Sequence, residues 1–159
     1  MILVTLGTQD KDFTRLVKYV EDLVIDGTIK DDVYVQLGHT KYSSNIIKTF
    51  SLKPVNELNE LIKNAKYIIT HGGVGSILTP LKYNKKVIAV PRREKYHEHT
   101  NDHQLEIVEE FSNLGYIKSA YDLASLKEAI KTISKFKPKK YVSNTNNLIN
   151  LISDYIDNL

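Results

Sequence analysis

Four short runs of this chain are almost wholly apolar: Met1–Leu6, Val33–Leu37, Lys66–Thr70 and Lys86–Val90. A strand with one face in water alternates apolar and polar residues, whereas a run apolar at successive positions is covered on both faces. Between the runs lie stretches of helical spacing. Phe13, Leu16, Val17, Val20, Leu23 and Val24 follow Asp12, an expected N-cap. Leu58, Leu61 and Ile62 follow Pro54, an expected helix opener. Weaker strands are expected at Ile46–Leu52 and Tyr116–Ile117. Further helices are expected over 76–83, with Pro80 in or near the first turn, and over 101–112, 122–135 and about 141–158. Strand alternating with helix predicts a doubly wound α/β domain, a Rossmann-like parallel sheet with helices on both faces.

The chain's 159 residues fit one domain, 1–159, with no repeat or linker. The net charge of +3 is too small for the basic stripe that nucleic-acid binding demands, so no nucleic-acid partner is expected. There is no cysteine, hence no disulfide and no thiolate metal site. The opening apolar run is too short for a signal peptide or a spanning helix. A cytoplasmic protein is expected, touching a membrane only peripherally or through a partner.

In a doubly wound sheet, ligands sit beyond the carboxyl ends of the strands. Three loops should open there. In His71, Gly72, Gly73, Val74, Gly75 and Ser76, glycines admit a ligand to the backbone, and the helix that follows offers free N–H groups to an anion. Ser76 adds a hydroxyl. No lysine completes a Walker loop, and Leu78 stands where a dinucleotide fingerprint needs its third glycine. The first loop, Gly7, Thr8 and Gln9, offers further donors. Asp10 and Asp12 form an Asp-x-Asp pair, read here as one solvated residue and one helix cap rather than a metal site.

The third loop holds His97, His99, Asn101, His103 and Gln104. Its three histidines suggest a metal, but the metallo-hydrolase signature is one residue shorter and no histidine follows His103. The preferred expectation is no metal and a polar rim for a hydroxyl-rich ligand, with Arg92 beside it for phosphate.

Taken in order, Leu6-Gly7-Thr8-Gln9, Thr70 through Ile77, Val90-Pro91-Arg92 and His99 through Gln104 resemble the carboxy-terminal domain of glycosyltransferase family 28. The likeness is strongest over residues 1–118. It points to the small single-domain subgroup, which includes PssE/EpsF-like bacterial polysaccharide glycosyltransferase subunits and the catalytic subunit of the two-part dolichol-linked UDP-GlcNAc transferase. The resemblance implies the C-terminal half of a GT-B fold, a UDP-sugar donor and no cofactor. It assigns the diphosphate to the glycine loop and the donor sugar to Gln104. His103 stands where MurG-like members have a second glutamine, and Thr79 where they have a ribose-binding glutamate.

The implied reaction moves a sugar, with inversion, from a UDP-sugar to a lipid-linked saccharide in exopolysaccharide or capsule assembly. His99 and Asp10 are the candidate catalytic groups, with Asp12 a further candidate base. A membrane-anchored partner subunit would supply the acceptor half and recruit the chain to the inner face of the membrane. An isolated half would be open to homo-oligomerisation. The rival readings are a non-catalytic UDP-sugar-binding or regulatory subunit, an NAD(P)-dependent oxidoreductase and a metallo-hydrolase.

Overall fold

The computed structural model describes residues 1–142, together with Asn150 and Ser153. Of the helix expected over about 141–158, Tyr141 and Val142 are not helical, Asn150 and Ser153 are, and the rest lies outside the described residues.

The elements run β1 (Ile2–Thr5), α1 (Thr14–Ile25), β2 (Val33–Gln36), β3 (Lys48–Phe50), α2 (Val55–Asn64), β4 (Tyr67–Thr70), α3 (Val74–Lys82), β5 (Lys86–Ala89), α4 (His103–Asn113), β6 (Lys118–Ser119) and α5 (Leu123–Thr132). The strands form one six-stranded sheet in the order β3-β2-β1-β4-β5-β6, and every pairing is parallel. This is a doubly wound sheet whose strand order reverses between β1 and β4.

Successive side chains of a strand point to opposite faces, and the core divides accordingly. Ile2, Val4, Val33, Val35 and Ile69 pack with Leu16, Val17 and Val20 of α1 and with Leu126 and Ile130 of α5. Leu3, Ile68 and Val87 pack on the other face with Ile62 of α2, Ile77 and Leu81 of α3, and Val108 and Phe111 of α4. Each central strand therefore needs apolar residues on both sides.

Three local expectations are corrected. Asp12 lies two residues before α1 rather than at its cap. Its carboxylate accepts the Thr14 N–H at 3.0 Å and the Thr14 hydroxyl at 2.8 Å, while Phe13 takes the N-cap position. Pro80 falls in the second turn of α3, where its ring removes a backbone donor, and the helix ends at Lys82. The last strand is Lys118–Ser119 rather than Tyr116–Ile117, because those two residues are buried against Phe111 and the α4 face before the chain reaches β5.

Candidate functional site

A cleft of about 480 Å³ opens at the switch point, beyond the ends of β1, β2 and β4, with α2 and α3 as its walls. That size suits a small-molecule site. Gly7, Thr8 and Gln9 enter from the first loop, His71, Gly73, Gly75, Ser76 and Thr79 from the second, and Gln104 from the start of α4.

Close packing builds the floor. Gly7 has φ +80, and a Cβ there would lie 2.4 Å from His71 Nε2. Gly72 is required because a Cβ would meet Gln104 Cβ at 2.7 Å, so α4 rests directly on this backbone. Gly73 is closed by the His71 ring, 2.2 Å from its would-be Cβ. Gly75 differs. Nothing lies within 4 Å of its would-be Cβ, and the space beyond it is the cleft.

The His71 imidazole organises the anion end. It is buried, and burial, helped by the Arg92 charge, pushes its pKa down to about 4, so the ring is neutral near pH 7. Nδ1 accepts the Gly73 N–H at 3.1 Å. Nε2 therefore carries the proton and donates it to Ser76 Oγ at 3.0 Å. The Ser76 hydroxyl keeps its own hydrogen for another acceptor. Val74, Gly75 and Ser76 form the first turn of α3, which has no side-chain cap, and their N–H groups have no carbonyl to bond within the helix. Val74 contributes through its backbone and its side chain does not line the cleft. Dipole, free N–H groups and hydroxyl converge where an anion would be held.

Gln104 joins two loops. Its Oε1 accepts the N–H of Gly72 and that of Arg92, both at 3.1 Å, and the residue lines the cleft. His99 stands over the first loop. Its Nδ1 accepts the Asn101 N–H at 3.3 Å, so Nε2 is the protonated nitrogen and points at the Gln9 carboxamide, 2.9 Å away. Gln9 must then turn its oxygen to His99. Partial burial and the charge of Arg92 hold the His99 pKa below its usual value.

The remaining sequence candidates lie elsewhere. Arg92 is a correction: its side chain is 1% exposed and faces the interior. The guanidinium donates to the carbonyls of Leu6 (2.7 Å), Lys11 (2.8 Å) and Glu98 (3.2 Å), and so staples the first loop to the third. Glu98, also buried, is held by Arg15 at 2.8 Å. Asp10 is exposed. Asn101 accepts the His103 N–H, and His103 pairs with Glu106 on the outer side of α4; neither lines the cleft. Among the described residues, no three His, Asp or Glu side chains converge as a metal site.

Sequence reasoning missed the floor beneath the loops. Thr5 and Gln36 reach the cleft, as do Val55, Leu58 and Asn59 of α2. The signal for Gln36 was present, since it is the one polar residue in Val33–Leu37.

Two relatives match in sequence, both named UDP-N-acetylglucosamine transferase subunit ALG13. The one from Candida albicans is 27% identical over 78% of this chain and 39% of its own length. The one from Candida glabrata is 33% identical over 76% of this chain and 50% of its own length. The aligned part is thus half or less of each relative. In structure, the solution form of ALG13 aligns over 94% of this chain and 93% of its own, at 19% identity and a TM-score of 0.62. The glycosyltransferase SnogD from Streptomyces nogalater aligns over 97% of this chain and 43% of its own, at 21% identity and a TM-score of 0.53. These two likenesses establish the GT-B C-terminal-like fold. The profile of the glycosyltransferase family 28 C-terminal domain matches residues 1–159, and the chain belongs to that family.

Proposed function

We propose that this chain is the donor-binding catalytic subunit of an inverting glycosyltransferase that moves a sugar from a UDP-sugar to a lipid-linked saccharide. The observation that carries this reading is the uncapped N-terminus of α3 at the switch point, with the Ser76 hydroxyl beside it. In the transfer, the acceptor hydroxyl attacks the anomeric carbon and the bond to the β-phosphate oxygen breaks on the opposite side. The electron pair stays on the diphosphate. Fixed N–H donors stabilise that charge without rearranging. Gly73, Gly75 and Ser76 hold the diphosphate in this reading, Thr79 meets the ribose, and Gln104 with Gly7, Thr8 and Gln9 faces the donor sugar.

The acceptor proton must go to a base. Both His99 ring nitrogens are engaged, the Asp12 carboxylate is occupied by Thr14, and Asp10 does not line the cleft. That favours a base from a partner subunit, which would also bring the lipid-linked acceptor and the membrane contact. Among the described residues, no helix is long and apolar enough to cross a membrane. A role in exopolysaccharide or capsule assembly belongs to the same proposal.

The engaged His99 also favours a second reading, a subunit that binds the UDP-sugar without turning it over. Calorimetry with UDP, UDP-sugars and NAD tests the donor. Micromolar UDP binding with none for NAD is expected, and tight NAD with no UDP binding would sink the proposal. UDP release by the reconstituted complex separates the two readings: turnover lost on Ser76→Ala supports catalysis in this cleft, and turnover that ignores the change leaves only binding.

A further inference from the structure

Glu98, in the loop between β5 and α4, is 3% exposed and both its carboxylate oxygens are occupied. Oε1 accepts from Arg15 Nε at 2.8 Å, and Oε2 accepts from Arg15 Nη2 at 2.9 Å and from the Arg93 N–H at 3.0 Å. Arg15 lies in the first turn of α1 and also donates to the carbonyls of Pro91, at 3.0 Å, and Tyr121, at 3.3 Å. Its guanidinium stands 4.7 Å from the centre of the Tyr96 ring and 5.4 Å from that of Phe13. The Glu98 backbone is held as well: its carbonyl accepts from Arg92 at 3.2 Å, and its N–H bonds the Arg93 carbonyl at 3.1 Å. Stability is a weak reason for such a pair, because removing two charges from water offsets most of their attraction. What a bidentate fork does supply is a fixed orientation.

The residue that follows Glu98 is His99, whose ring meets the Gln9 carboxamide at 2.9 Å. Gln9 lines the cleft, and the other end of its carboxamide has no hydrogen-bond partner among the described residues. The clamp on Glu98 thus runs, through one peptide and one imidazole, to an amide group in the cleft wall. We propose that Glu98 is a positioning residue for the donor sugar, an inference that rests on the donor-site reading above. Its ion pair with Arg15 sets the third loop so that His99 holds Gln9 ready for a sugar hydroxyl. An amide held in advance loses little freedom when the sugar arrives, and that strengthens the contact. The diphosphate, at the α3 terminus, is held by other groups. Loss of the clamp should therefore act on the sugar end of the ligand and spare the nucleotide end.

The test is calorimetry on the full chain with UDP, UDP-GlcNAc, UDP-glucose and UDP-galactose, the tightest-binding sugar nucleotide serving as the probe. Glu98→Gln keeps the side-chain shape and removes the charge. Its affinity for the probe should fall about tenfold, the worth of one hydrogen bond, with UDP affinity unchanged. Arg15→Lys keeps a cation for Glu98 but lacks the planar fork. It should show the same selective loss, and it carries the test where Glu98→Gln fails to fold. His99→Ala should also lose about tenfold, and Glu98→Gln added to it should lose no more, because both act through the same contact to Gln9. A pair that only stabilises the fold would lower the melting temperature without this selectivity. Wild-type affinity for the probe in the folded variants overturns the inference, as does an equal loss for UDP or a Glu98→Gln loss that adds in full to that of His99→Ala. A wild-type protein that binds UDP and no sugar nucleotide overturns the inference and leaves the donor-site reading standing. One that binds none of the four ligands overturns that reading itself.

Discussion

His71 Nε2 lies 3.0 Å from Ser76 Oγ, and the direction of that hydrogen bond decides where the serine proton points. With Nδ1 occupied by the Gly73 N–H, the imidazole is the donor and the serine proton is free for the cleft. Ser76→Ala should therefore weaken UDP binding by about tenfold, the worth of one hydrogen bond to a charged group. His71→Asn, which keeps a short acceptor for Gly73, should weaken it less. Calorimetric titration of both variants checks the order. A Ser76→Ala protein with wild-type affinity would show that the hydroxyl faces no ligand.

The same imidazole makes stability depend on pH. Its folded pKa, about 4, lies below the unfolded value near 6.5. Between these values the unfolded chain binds the extra proton, so stability is full above about pH 6.5 and is lost as pH falls toward 4. From pH 7.5 to 5 the His71 contribution to the loss is about 2 kcal/mol. Urea unfolding at these two pH values, in wild type and His71→Asn, measures it. A wild-type slope no steeper than that of the variant contradicts a buried neutral His71.

Arg92 should act on the fold rather than as a phosphate ligand. Replacing it by Met strands the carbonyls of Leu6, Lys11 and Glu98 and should cost about 3 kcal/mol in denaturant unfolding. Arg92→Lys keeps the charge but not the planar fork, and should lose most of the same stability. A Lys variant as stable as wild type would return Arg92 to the role of a simple charge.

These residues mark how much of the molecule was legible in its sequence. The central strands β1, β2, β4 and β5 were plain because both their faces are covered, which leaves an uninterrupted apolar run. The edge strands were not. Lys48–Phe50 and Lys118–Ser119 are partly exposed and carry no such run. Glycine spacing located the second loop but could not say what each glycine does, since that depends on neighbours distant in sequence, such as Gln104 against Gly72. Arg92 was misread for a related reason: a loop arginine is usually solvated, and its carbonyl partners come from segments more than 80 positions away or from the turn that follows. Gln36 was passed over as one polar residue in a strand.

The glycine geometry also decides which substitution tests the cradle. Gly73→Asp would fill the loop and add like charge, but its Cβ would strike the His71 ring at 2.2 Å, so lost binding could equally report a broken loop. Gly75 has open space around its would-be Cβ and lies in the first turn of α3. A Cβ there meets no protein atom within 4 Å, and the charge of an aspartate suits a helix N-terminus. It also trades a flexible glycine for a residue that orders more readily in a helix. Gly75→Asp should therefore fold with at least wild-type thermal stability while placing a carboxylate where the diphosphate would sit. UDP affinity should fall at least about 100-fold, as expected when a like charge occupies the site. Gly75→Ala, which adds a methyl without charge, should fall between the two. Circular dichroism melts and UDP titrations on the pair check both halves. A stable Gly75→Asp protein that still binds UDP normally would move the diphosphate away from the α3 terminus.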